Sequence, residues 1–150
     1  MELRSNSAEE LQAHAAEFVS HLQPRQQAVV ATLSGELGAG KTTFAQGIAK
    51  ALGVEEVVTS PTFVLEKIYK LEGQKFQRLI HIDAYRLKSA HELEVLGWEK
   101  LLQDSGNLIV LEWPERVVGA IPPHATNIRF DIVDDGRIIT LINEYGEEKI

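Results

Sequence analysis

The sequence predicts an α/β fold with a central parallel sheet flanked by antiparallel strands, on three observations. A strand-like run, a glycine loop and an amphipathic stretch succeed one another from Ala28 to Leu52. Two later apolar runs, LIHID and LIVLE, each end in an acid. Two pairs of short runs are joined by turn residues. Strands separated by helices, then hairpins, are the signature of such a mixed sheet.

The elements follow in order. Ser7 and Glu10 form a capping box, and Leu11, Ala15, Phe18, Val19 and Leu22 recur at helical spacing, so a first helix ends before Pro24. AVVATLS, Ala28 to Ser34, is apolar and rich in β-branched residues, as a strand buried on both faces should be. Lys41 to Leu52 sets Phe44, Ala45, Ile48, Ala49 and Leu52 on one helical face and stops at Gly53. Runs near Phe63 to Tyr69 and Phe76 to Asp83, joined around Glu72 and Gly73, predict an antiparallel hairpin. Ser89 and Glu92 repeat the capping-box pattern ahead of a helix that Gly97 interrupts. Leu108 to Glu112 is a further buried strand, Pro114, Pro122 and Pro123 mark a long connection, and Asn127 to Val133 pairs with Arg137 to Asn143 through a turn at Asp134 to Gly136.

At 150 residues the chain is long enough for one domain, 1–150, with its own core. The absence of cysteine excludes a thiolate nucleophile, an iron–sulfur cluster and cysteine-bound zinc. No secretory signal and no apolar run of about 20 residues is found, so the expected compartment is the cytoplasm, with no membrane partner. With 22 acidic against 15 basic residues the net charge is −7, the wrong sign for gripping nucleic acid over the whole surface.

GELGAGKT, Gly35 to Thr42, fits G-x-x-x-x-G-K-[ST], a loop whose amide groups turn inward around phosphate oxygens. Side chains would block that approach, hence the glycines. The expected cradle is Gly35, Glu36, Leu37, Gly38, Ala39 and Gly40, continued by Lys41, Thr42 and Thr43 at the helix start. Lys41 would reach the β- and γ-phosphates and Thr42 would give its hydroxyl to Mg²⁺. The fold is then a P-loop NTPase-like three-layer arrangement. Such a loop also needs an acid at a neighbouring strand end, and both Asp83 and Glu112 qualify; their residue types do not decide which one meets the metal.

Weaker signals remain. TSPT, Thr59 to Thr62, reads as a Ser-Pro turn or as a mobile segment sensing the γ-phosphate. Trp113 reads as packing, base stacking or a partner surface. The five histidines show no metal-ligand spacing and read as solvated or satisfied polar groups. No G-x-S-x-G elbow supports a serine hydrolase.

Taken together, GELGAGKTTF, SPTF, HIDAYRL, HELEVLG and VLEWPE stand in an order and spacing that resembles the bacterial TsaE family, over roughly Ser7 to Asp135. The resemblance implies a small ATP-binding protein, an ATPase using ATP/ADP and Mg²⁺, needed for threonylcarbamoyladenosine modification of tRNA. It implies an indirect role, regulating or resetting a threonylcarbamoyl-transferase subunit and its supporting homologue, with tRNA met only through them. By position it implies Lys41 as the phosphate-binding lysine, Thr42 and Glu112 as Mg²⁺ ligands, and Asp83 as the acid needed for hydrolysis. Ser60 and Thr62 match the switch-like loop and Trp113 the tryptophan beside the site. The family often has a threonine in the opening turn of the first helix, near the adenine; this chain has Leu11 there.

No arginine stands out as a finger, a group that can add about 10³ to 10⁵ in rate, so slow hydrolysis by the chain alone and acceleration by partners is the expectation. The alternatives are a small-molecule P-loop kinase, for which little length is left for a lid and an acceptor pocket, and a nucleotide-dependent scaffold that does not hydrolyse. Guanine is disfavoured, because no N-K-x-D or T-K-x-D sequence occurs.

Overall fold

The computed structural model describes residues 2–36, 38–55, 66–134 and 136–142. Its frame is a seven-stranded sheet. In chain order the elements are β1 (Glu2–Ser5), α1 (Ala8–Ser20), β2 (Val29–Gly35), α2 (Lys41–Ala51), β3 (Glu66–Lys70), β4 (Arg78–Asp83), α3 (Ala90–Val95), α4 (Trp98–Gln103), β5 (Asn107–Glu112), two short 3₁₀ turns, β6 (Thr126–Val133) and β7 (Gly136–Ile142).

Across the sheet the strands run β1-β7-β6-β2-β5-β4-β3. Strands β4, β5, β2 and β6 are mutually parallel; β3 pairs antiparallel with β4 on one side, and on the other β7 pairs antiparallel with both β6 and β1, so that β1 runs in the direction of the centre. The predicted parallel centre with antiparallel flanks is therefore the architecture observed. β1 is the element the sequence reading lacks: its four residues carry no clear alternation, and they become a strand by pairing with β7, from Glu2 opposite Thr140 to Ser5 opposite Arg137.

Local chemistry explains most boundaries. The Ser7 hydroxyl accepts the Glu10 amide at 3.1 Å, and the Glu10 carboxylate reaches back to the Asn6 amide at 2.6 Å, one residue before the usual capping-box partner. Gly97, at φ 81°, splits the third helical stretch into α3 and α4 as expected. Ser89 makes no side-chain cap; Glu92 alone closes that turn, accepting the Lys88 amide. The predicted hairpin strand around Phe63 begins at Glu66 among the described residues, its first part lying outside them.

The period of two along the buried strands divides the apolar residues between the faces. Val29 and Leu33 of β2, Val110 of β5 and Phe130 of β6 pack under Leu11, Ala15 and Val19 of α1 and Phe44 and Ile48 of α2. Val30, Ile80, Ile82, Ile109 and Leu111 pack on the other face against Leu93 and Trp98. These are the three layers. Burying each such side chain contributes roughly 1.5–3 kcal/mol, so both cores anchor the sheet edge that carries the loop. Helices α1 and α2 approach closely at Gly47, where a Cβ would lie 2.8 Å from the Ala15 Cβ. No helix among the described residues is long and apolar enough to cross a membrane.

Candidate nucleotide site

The loop that leaves β2 at Gly35 turns at once into α2. Gly35 has φ 146°, and a Cβ there would fall 2.5 Å from the Phe130 carbonyl oxygen, so only glycine fits against β6. Gly40, at φ 108°, is the N-cap of α2, with the Phe44 amide donating to its carbonyl at 2.9 Å. The Ala39 amide donates to the Glu36 carbonyl at 3.1 Å, and Arg137 of β7 donates to the Gly38 carbonyl at 3.1 Å. The turn is thus held from within and from the sheet.

Parallel pairing decides the rest. β4 and β5 run in the direction of β2, with Leu33 opposite Glu112 and Asp83 opposite Glu112. Both acids therefore reach the strand edge where the loop sits, on the face covered by α2. Asp83 is 8% and Glu112 2% exposed. One Asp83 oxygen accepts the Tyr85 amide at 2.9 Å, and one Glu112 oxygen accepts the ring Nε2 of His81 at 2.6 Å.

Lys41 is buried among these groups. Its ammonium donates to the carbonyls of Gly35 and, at 2.9 Å, Glu36, and lies over the Trp113 ring. Burial lowers its pKa from the usual 10.5, while Glu112, Glu115, Asp83 and Glu36 pull the other way. Trp113 itself has φ 61°, an uncommon backbone conformation for a bulky residue, and its ring centroid lies 4.9 Å from that of Tyr85.

Lys41, Thr42, Thr43, Asp83, Glu112 and Trp113 line one cavity of about 400 Å³. A second cavity of about 210 Å³ lies on the other side of the loop, between Gly38, Gly40 and Thr43 and the opening turn of α1, with Leu11 in its wall. The structure thus brings together the loop residues Gly35, Glu36, Gly38, Ala39, Gly40, Lys41, Thr42 and Thr43 with Asp83, Glu112 and Trp113. Leu37, Ser60 and Thr62 lie outside the described residues. Sequence reasoning passed over Tyr85 and Arg86, which line the larger cavity, and Asn6 and Arg137, which line the smaller one. The position of Tyr85 and Arg86, two and three residues after Asp83, is the available signal for the first pair; nothing local marks the second.

The arrangement offers amide groups and an ammonium for polyphosphate, and a hydroxyl and a carboxylate oxygen for a hard cation. The profile of the family described as "Threonylcarbamoyl adenosine biosynthesis protein TsaE" matches residues 5–139. The chain belongs to the TsaE family. Among its TsaE relatives, the Rickettsia bellii protein named tRNA threonylcarbamoyladenosine biosynthesis protein TsaE is 37% identical over 93% of either chain. The protein of that name from Streptomyces coelicolor is 44% identical over 66% of either chain. The crystal structure of Bacillus subtilis YdiB superposes with a TM-score of 0.76 at 30% identity, covering 97% of this chain and 88% of that one. Membership of the TsaE family makes this a P-loop, ATPase-like protein of tRNA modification, and implies nucleotide binding.

Proposed function

We propose that this TsaE-family chain binds ATP with Mg²⁺ and hydrolyses it in the cytoplasm to regulate or reset a threonylcarbamoyl-transferase subunit and its supporting homologue, touching tRNA only through them. The observation that carries the reading is the convergence of the loop, Lys41, Thr42 and two strand-end carboxylates on one cavity.

In this reading the loop amides from Gly35 to Gly40 and the start of α2, with Thr43, cradle the phosphates. Lys41 exchanges its two carbonyl partners for phosphate oxygens. Thr42 and Glu112 would hold Mg²⁺, which when bound would neutralise phosphate charge. Their donors suit it, being oxygens only, one from each side chain, and Mg²⁺ commonly takes one or two protein oxygens beside phosphates and waters. Asp83, its carboxylate oriented by the Tyr85 amide, positions water at the γ-phosphate. Leu37, Ser60 and Thr62 keep their assigned roles in the cradle and the switch-like loop. Trp113 walls the site, and the smaller cavity at Leu11 is the space for the base.

Calorimetry with ATP, ADP and GTP, with and without Mg²⁺, tests the binding. Adenine nucleotides should bind, and Lys41→Ala should abolish uptake. Asp83→Ala should bind yet fail to turn over, and turnover by the native chain should rise when the transferase pair is added. A folded chain that takes up no nucleotide overturns the reading, and equal turnover with and without partners removes its regulatory part.

A further inference from the structure

His81 is buried to 1% exposure in β4, between Ile80 and Ile82 of the second core, and its ring lies on the Asp83 side of the sheet. Its register partner on β5 is Val110, so the 2.6 Å bond to Glu112 runs diagonally, the glutamate bending back along its own strand. The two side chains are 2% and 3% exposed. A carboxylate has only acceptors to offer, so the ring nitrogen that meets it, Nε2, carries a proton. The other ring nitrogen, Nδ1, is buried with no hydrogen-bond partner among the described residues. A ring kept only for packing would be better replaced by an aliphatic side chain, because an unsatisfied buried nitrogen costs stability.

We propose that His81 is a positioning residue for the Mg²⁺–nucleotide site: it engages one oxygen of Glu112 and leaves the other, fixed in direction, as the single oxygen that Glu112 presents to the cation. This rests on the nucleotide reading above. Mg²⁺ demands near-octahedral geometry and tolerates little ligand wander, whereas a free glutamate can swing or chelate through both oxygens. Partners that orient metal ligands commonly account for about 10- to 100-fold in metal affinity.

The test is Mg²⁺ titration of the binding of a fluorescent ADP analogue. His81→Leu should raise the Mg²⁺ concentration needed by about 10- to 100-fold while leaving metal-free ADP binding in place. His81→Gln, whose amide nitrogen reaches the Nε2 position, should restore most of it. In a Glu112→Ala background His81→Leu should add nothing further, since the two act as one unit. Unchanged Mg²⁺ dependence in His81→Leu, or independent effects in the double variant, overturns the proposal. Should His81→Leu not fold, nitrogen NMR of the native chain without metal decides: the proton must reside on Nε2, and a ring carrying it on Nδ1 alone refutes the assignment. A native chain that binds no ADP at all would instead strike the nucleotide reading, leaving the NMR result to judge His81.

Discussion

The ammonium of Lys41 lies 4.3 Å from the centroid of the Trp113 ring, held there by the carbonyls of Gly35 and Glu36. Its lowered pKa means that the folded chain releases this proton at lower pH than the unfolded chain, for which 10.5 is the usual value. Between those two pH values the unfolded state binds more protons, so stability rises with pH. Lys41→Met should therefore lose nucleotide binding while melting at the same temperature as the native chain or higher at pH 7. The native chain should then gain on the variant as the pH climbs toward 10.5. Calorimetric melting over a pH series measures this, and a K41M variant that melts well below the native chain at pH 7 contradicts it.

Gly35→Ala should be costly on two counts. The residue would keep a φ of 146° that side chains avoid, at about 1–3 kcal/mol, and its Cβ would collide with a backbone oxygen of β6 that cannot swing aside. Urea denaturation should show a loss of more than about 2 kcal/mol, and nucleotide uptake should fall with it.

Phe44 follows the loop in α2 and meets Phe130 edge-on at 5.3 Å and Phe18 at 6.0 Å. Phe44→Ala should lose about 3–5 kcal/mol, and Phe44→Leu far less, because the cavity is then mostly refilled. Equal denaturation midpoints for the two variants would show that the ring does not anchor the loop helix.

Glu66, at the start of edge strand β3, has one carboxylate oxygen buried without a hydrogen-bond partner among the described residues, and burial raises its pKa above the usual 4.5. Above 4.5 the folded state holds this proton more tightly than the unfolded state, so stability falls as pH rises through the raised value. Glu66→Gln should melt higher than the native chain at pH 7, with the advantage vanishing near and below pH 4.5. A pH-independent difference would assign the effect to packing instead.

The sequence alone determined what is written within a few residues. The glycine loop, the capped first helix, the break at Gly97 and the hairpin at Asp134 to Gly136 are local, because backbone dihedrals and capping bonds are satisfied by near neighbours. Even Lys41, Thr42, Asp83 and Glu112 could be named, since a strand of known direction delivers its last side chain to a known edge. Only the tertiary structure decided that Asp83 and Glu112 stand opposite one another, that β1 pairs with β7, and that Arg137 reaches back to Gly38. It also turned His81 from one polar residue among five histidines into the buried partner of Glu112. Those relations join residues far apart in the chain, and they arise from strand register, which the alternation of each strand restricts but which is selected only when all the strands bury their apolar faces together.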